Sequence, residues 1–335
     1  MVEKTKLAEA IKLINNKFGN KETGEKPIAD GNIDIPIMSS GIIGIDYASN
    51  CGGIPEGRIF EVFGAESSGK TTIALLIAKK YIENGKTVAF IDAEQAFNKS
   101  WAAKLGIPVD DPEKFVLMQD SVFENIFGAI RLLIEQGGVS LVIVDSVAAI
   151  STQDDFEQEE AVGKGMPLFA KNFRRQLRIL TPIAAKNKCN LLFLNHSMQD
   201  LAKMGWGDKT TTPGGTALKY LSSMRLKVAR IQTEKDKEGN KVANRIEVSF
   251  VKNKIAAPYG KGSFLLDFEH GVDHVQELMD YSLELGIIIK KGPRDYQFND
   301  NKIADSQEKF YNYIKDNEDF SKQLQEEIYN KMKTK

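Results

Sequence analysis

Residues 64–71 read Gly64-Ala-Glu-Ser-Ser-Gly-Lys-Thr71, and the neighbouring segments give that string its meaning. On its N-terminal side, Arg58-Ile-Phe-Glu-Val-Phe63 is β-branched and aromatic with no Gly or Pro, which predicts a strand. On its C-terminal side, Thr72 to Glu83 is rich in Ala, Leu, Ile and Lys, which predicts a helix. A glycine-bearing loop in that position turns its backbone N–H groups inward, and the helix N-terminus adds partial positive charge. The string therefore predicts a cradle for the phosphates of a nucleoside triphosphate, formed by Gly64, Glu66, Ser67, Ser68, Gly69, Lys70, Thr71 and Thr72. Lys70 is placed to reach the β- and γ-phosphates, and the Thr71 hydroxyl to join the shell of a Mg2+ ion.

Outward from this unit, Thr87–Asp92, Leu141–Asp145 and Leu191–Asn195 are near-continuous apolar runs, the mark of buried parallel strands. Helical segments near Ser121–Gln136 and Pro167–Lys186 separate them, so an α/β fold with a central, mostly parallel sheet is expected. Met224–Gln232 and Val242–Lys252 flank a polar tip and predict an antiparallel hairpin that extends the sheet. From Gly271 the chain is charged and helical with few strand signals, which predicts a small, α-rich C-terminal domain over 271–335. Near the N-terminus, Leu7, Ile11, Ile14 and Phe18 share one face of a predicted helix, followed by a polar, Gly-containing stretch. Residues 1–32 thus read as a helical arm and linker, which either docks on a neighbouring subunit or packs on its own domain; residues 33–270 read as the core.

The 335 residues are 42% hydrophobic and 27% charged, as in ordinary globular chains. Two cysteines are too few for a disulfide framework, no apolar stretch approaches membrane-spanning length, and the N-terminus lacks a signal peptide's apolar core. A cytoplasmic protein with no membrane partner is expected. With a net charge of −1, any nucleic-acid surface must be a local patch.

Asp145 closes the strand at Leu141–Val144, where open α/β sheets bind ligands, and its expected role beside a phosphate loop is to hold Mg2+ or its waters. Asp92 and Glu94 both stand at the end of a neighbouring strand, and either carboxylate could orient a water for ATP hydrolysis. Lys252 and Lys254 flank Asn253, so on a strand both ammonium groups point the same way. Such a pair calls for an anion between them, whether a phosphate, Glu94 or a partner's nucleotide; without one it is a solvated strand edge. His270 and His274 are four apart, but with no cysteine or third histidine nearby they read as a surface pair.

Taken together, these stretches resemble a RecA-family DNA recombinase. The matching segments are the phosphate loop through Thr72, Phe90-Ile-Asp-Ala-Glu-Gln-Ala96, Val142-Ile-Val-Asp-Ser-Val-Ala-Ala149, Thr210-Thr-Thr-Pro-Gly-Gly-Thr-Ala-Leu-Lys219 and Val251-Lys-Asn-Lys-Ile-Ala-Ala-Pro258. They occur in family order, and the likeness runs from about residue 5 to about residue 290. The resemblance implies a RecA-like ATPase core with an N-terminal helix-strand arm. It implies an ATP- and Mg2+-dependent protein that forms helical filaments on single-stranded DNA and pairs it with a homologous duplex. Single-strand-binding or loader proteins are the partners implied. Within that likeness Glu94 activates the water, Asn98 and Trp101 contact the adenine, and Lys252 and Lys254 reach the nucleotide of the adjacent subunit.

Two segments resemble the family's mobile DNA-binding loops. The first, 157–165, leads into a helix whose Lys171, Arg174 and Arg178 share a face, with Arg175 beside them. The second, 197–215, carries Met198, Leu201, Lys203, Met204, Trp206 and Lys209, residues able to stack on bases or hold phosphates. Three features depart from the family pattern. His196 stands where the family usually has the Gln that senses the γ-phosphate, as in some phage-encoded relatives. An imidazole donates a hydrogen bond as an amide does, yet can also carry charge near neutral pH. The usual acidic tail is absent, so autoinhibition by it is not expected. Loop 157–165 differs from the bacterial consensus. A hexameric helicase or motor on the same core, or a non-catalytic ATP-binding regulator, are the competing readings.

Overall fold

The structure, a computed structural model, describes residues 2–19, 35–153, 165–199 and 210–333. The chain divides into two compact units, Met1–Pro36 and Ile37–Lys335. The first carries α1 (Val2–Phe18), on which Leu7, Leu13 and Phe18 are exposed. The expected linker at 20–31 lies outside the described residues.

The second unit opens with β1 (Ile37–Met38) and β2 (Ile54–Pro55), an antiparallel pair flanking the short helix α2 (Ile43–Ala48). Next comes the predicted strand–loop–helix unit, β3 (Ile59–Gly64) and α3 (Lys70–Glu83). Further along the chain are β4 (Val88–Asp92), α4 (Lys99–Lys104), β5 (Phe115–Gln119), α5 (Phe123–Glu135), β6 (Leu141–Asp145), α6 (Gly165–Lys186) and β7 (Asn190–His196). Strands β3, β7, β6, β4 and β5 lie side by side in that order, all parallel.

Both faces of this sheet are covered, which explains the unbroken apolar runs. Alternate residues serve opposite layers: Phe90, Ile143 and Leu192 pack with Ile73 and Ile77 of α3, whereas Ile91, Val144 and Phe193 pack with Phe127 of α5 and Phe173 of α6. Every residue of β3, β4 and β6 is buried. Strand β5 forms the edge, and Leu117 on it is exposed.

After β7 come β8 (Met198–Gln199), β9 (Thr210–Thr211) and α7 (Ala217–Leu221). The expected hairpin follows as β10 (Met224–Lys235) and β11 (Lys241–Asn253), longer at its tip than the apolar pattern indicated. β10 joins β3 in parallel, and β12 (Lys261–Asp267) and β13 (Gly271–Val272) extend the far edge, completing nine strands.

The C-terminal segment contains α8 (His274–Glu284), α9 (Gln307–Asp316) and α10 (Glu318–Lys333), but it also holds a three-stranded sheet. Its strands are β14 (Ile289–Lys290), β15 (Tyr296–Phe298) and β16 (Asn301–Ala304). Asn299 and Asp300, at φ 49° and 62°, form the two-residue left-handed turn that joins the last two. This region's core of Leu278, Phe310, Ile314, Leu324 and Ile328 includes Ile43 from α2. Asp46 of α2 is fully buried and accepts hydrogen bonds from Ser40 N (2.8 Å), Ser39 Oγ (2.5 Å) and Tyr329 Oη (2.8 Å). Burial pushes the Asp46 carboxyl up to about 6 against those hydrogen bonds.

Candidate active site

The phosphate loop hangs from the C-terminal end of β3. A Cβ on Gly64 would lie 2.3 Å from the carbonyl oxygen of Val228, its cross-strand partner, so only glycine fits this close approach. Ser67 (φ 55°) and Gly69 (φ 90°) take left-handed conformations that curl the loop. Gly69 caps α3 without any side-chain hydrogen bond, so the first N–H groups of this 14-residue helix stay available to a ligand. The Ser68 hydroxyl is buried and has no hydrogen-bond partner among the described residues. An orphaned hydroxyl and an uncapped helix start, side by side, fit phosphate oxygens.

Lys70 is 7% exposed and donates to the carbonyls of Gly64 (3.3 Å) and Ala65 (2.8 Å) inside the loop. Burial lowers its pKa, opposed by the charges of Asp145, Glu94 and Glu66. Next to it, Thr71 Oγ1 donates to Asp145 Oδ2 at 2.6 Å, joining α3 to the end of β6. Burial raises the Asp145 carboxyl to about 6, with Glu94 and Asp92 pushing the same way and the Thr71 hydrogen bond opposing. A hydroxyl and a carboxylate side by side are the hard oxygen donors that Mg2+ takes.

The two carboxylates that spacing left equivalent have different surroundings. Asp92 is buried and accepts from Ala96 N (3.2 Å), Phe97 N (2.9 Å) and Gln119 Nε2 (2.9 Å), so it braces the turn after β4. Glu94 reaches outward, its side chain 36% exposed. Its Oε1 accepts from Ser146 Oγ at 2.5 Å and pairs with His196 Nε2 at 3.1 Å. Burial pushes the Glu94 carboxyl up, but the hydrogen bonds from Ser146 and His196, with the charges of His196 and Lys70, outweigh it and hold it below the usual range.

His196 ends β7 opposite Gly64 in the register, and the following N–H, of Ser197, donates to the Gly64 carbonyl (3.0 Å). The start of segment 197–215 is thus bonded to the start of the phosphate loop. Strands β8 and β9 pair antiparallel at its two ends. Asn195 adds a second tie: its Oδ1 accepts from His196 N (3.0 Å), and its Nδ2 donates to Pro213 O (3.0 Å) and Glu61 Oε1 (3.1 Å). Glu61 is fully buried within β3 and forms an ion pair with Arg225 of β10, whose guanidinium lies 4.6 Å from the Phe63 ring centroid. Motif reading missed Glu61, Arg225 and Ser146. The signal for Glu61 was a lone charge inside an apolar strand, and for Ser146 a hydroxyl next to the strand-end carboxylate.

Other predicted residues stand apart from this cluster. Asn98 caps α4, accepting from Trp101 N (2.9 Å), and the Trp101 indole N–H meets Thr72 Oγ1 at 3.4 Å, beside the phosphate loop. Lys252 and Lys254 do point together: Lys252 Nζ donates to the carbonyls of Lys219 (2.7 Å) and Tyr220 (2.9 Å), and Lys254 Nζ to that of Tyr220 (3.3 Å). Burial, then the charges of Lys254 and Arg225, lower Lys252 to about 8. On α6, Lys171, Arg174, Arg175 and Arg178 are exposed while Phe173, Leu177 and Leu180 are buried. Residues 157–164 and 200–209, including Leu201, Lys203, Met204, Trp206 and Lys209, lie outside the described residues. His270 pairs with Asp267 (3.0 Å) and His274 with Glu277 (3.1 Å), and no group of three or more metal-binding side chains occurs among the described residues. Among those residues no helix is long and apolar enough to cross a membrane.

The family described as RecA N-terminal domain matches residues 5–273. Protein RecA of Wolinella succinogenes is 34% identical over 322 residues, covering 95% of this chain and 89% of that protein. Protein RecA of Desulfovibrio desulfuricans is 36% identical over 325 residues, covering 96% and 88%. A solved structure described as the RadB recombinase superimposes with a TM-score of 0.53 at 21% identity, covering 70% of this chain and 98% of that one.

Proposed function

This chain belongs to the RecA family of DNA recombination proteins, and we propose that it is a DNA-dependent ATPase that assembles as helical filaments on single-stranded DNA and exchanges that strand with a homologous duplex. The observation that carries the reading is the convergence at the C-terminal ends of β3, β6 and β4 of Lys70, the Thr71–Asp145 pair and Glu94 with its two donors.

The loop N–H groups, Ser68 and Lys70 bind the phosphates of ATP, while Trp101 and Asn98 line the side where the adenine lies. Thr71 and Asp145 would hold Mg2+, which would supply neutralisation of the phosphate charge. Glu94 orients the attacking water and takes its proton. His196 contacts Glu94 and senses the γ-phosphate, and the Ser197–Gly64 hydrogen bond ties the start of segment 197–215 to the phosphate loop. Nucleotide state is thereby coupled to that segment, and with it to the grip on DNA. The cations of α6 hold DNA phosphates, and Lys252 and Lys254 reach the ATP of the next protomer in place of the carbonyls they now contact. Helix α1, with apolar side chains exposed, docks on a neighbouring subunit. Single-strand-binding or loader proteins, and a cytoplasmic setting, complete the reading.

Electron microscopy of the chain with ATP and single-stranded DNA tests it. Open helical filaments are the expected result. Closed rings would mean a helicase-like motor, and DNA-independent particles with no ATP turnover would mean a regulator.

A further inference from the structure

We propose that Ser146 is a positioning residue for ATP hydrolysis, its hydroxyl fixing Glu94 so that Oε2 receives the proton of the attacking water. The inference rests on the reading of Glu94 as the group that acts on that water. Ser146 is fully buried at the end of β6, directly after Asp145, and its single hydroxyl proton goes to Glu94 Oε1 at 2.5 Å. His196 Nε2 lies 3.1 Å from the same oxygen. A carboxylate oxygen has two lone pairs, so these two partners saturate Oε1 and lower its basicity. Oε2 accepts no hydrogen bond among the described residues and remains the more basic oxygen.

The backbone supports the same arrangement. The N–H groups of Ala93 (2.7 Å) and Glu94 (3.2 Å) both donate to the carbonyl of Asp145, so the backbone of Glu94 is tied to the last residue of β6 and its side chain to Ser146, which directly follows. Glu94 is nevertheless one-third exposed, and without the Ser146 bond only the His196 contact would restrain its side chain. The partners divide the work. His196 is the last residue of β7, and Ser197 after it is bonded to the phosphate loop, whereas Ser146 directly follows Asp145 and ties Glu94 to the end of β6. In the step itself a water O–H bond breaks and its proton goes to Oε2. The water oxygen bonds to the γ-phosphorus, and the bond from that phosphorus to the bridging oxygen breaks, its electron pair leaving with ADP.

The test is DNA-stimulated ATP turnover and fluorescent-ATP binding for the full chain and for Ser146→Ala, Ser146→Thr, Glu94→Gln and the double variant Ser146→Ala/Glu94→Gln. Ser146→Ala is expected to lower kcat on the order of tenfold, the scale of one hydrogen bond to a charged group, with KM and nucleotide affinity within about twofold. Ser146→Thr, which keeps the hydroxyl, is expected to restore most of the rate. In the Glu94→Gln background Ser146→Ala is expected to cost nothing further. If Thr does not fold at this buried position, that background comparison decides. Wild-type kcat in Ser146→Ala, with Glu94→Gln inactive, would overturn the positioning role and leave Glu94 in place. An equal loss in both backgrounds, or a loss of nucleotide affinity matching the loss of rate, would also overturn it, by assigning Ser146 to the fold around Asp145. Undiminished turnover in Glu94→Gln would remove the underlying reading, and the inference with it.

Discussion

Replacing Glu61 by Met removes one partner of a buried ion pair without leaving a large void. Glu61 is fully buried, and the Arg225 side chain is only 11% exposed, so the stranded guanidinium has little access to water. Breaking a buried pair from one side costs about 3–5 kcal/mol. Arg225 keeps its contact with the Phe63 ring and a little solvent, which places the expected loss near the lower end, about 3 kcal/mol. Asn195 Nδ2 also loses an acceptor, but retains Pro213 O. Urea unfolding at pH 7, followed by far-UV circular dichroism, measures the loss as a shift in midpoint at constant slope. The double variant Glu61→Met/Arg225→Met removes both charges and is expected to return to within about 1 kcal/mol of the parent. A single variant within about 1 kcal/mol of the parent, or a double variant less stable than the single one, would refute the reasoning.

Lys70→Ala is expected to abolish nucleotide-dependent DNA binding, measured by fluorescence anisotropy of a labelled oligonucleotide; ATP-stimulated binding retained in that variant contradicts the mechanism. Asp145, raised to about 6 by burial, is protonated below that pH, so protons compete with Mg2+ there. Mg2+-dependent ATP affinity should therefore fall about tenfold per unit below pH 6 and change little above pH 7, and Asp145→Asn should flatten the profile. Asp46 sits at about 6 against an ordinary 3.8, so its ionised form is the disfavoured one in the folded chain. Its effect on stability is absent below pH 3.8 and grows as pH rises to 6, reaching a cost on the order of 3 kcal/mol. The stability difference between the parent and Asp46→Asn, measured from pH 4 to 7, should shift by that order in the variant's favour; a difference independent of pH would contradict it.

Local chemistry made the strand–loop–helix unit legible: β-branched residues, then glycines, then helix formers, each obeying its own rule over a few residues. The buried strands β4, β6 and β7 were legible because a sheet covered on both faces needs apolar residues at every position. The C-terminal sheet escaped notice because its strands are two to four residues long, with only turn residues such as Gly292-Pro293 and Asn299-Asp300 between them as local signs. Edge strand β5 was hidden for a related reason, since one exposed face breaks the apolar run. Asp92 and Glu94 could not be separated by spacing, because their surroundings depend on Gln119 of β5 and on Ser146 just after β6, the strands on either side of β4. The Glu61–Arg225 pair joins residues 164 apart, a distance no local pattern spans.

The measurement that bears most directly on the account is the ATP turnover rate with and without single-stranded DNA, across a salt titration. The account predicts strong stimulation by the DNA that fades as salt rises, because the DNA is held through its phosphates and the nucleotide site reads that grip through His196 and segment 197–215. Turnover indifferent to DNA at every salt concentration would contradict it.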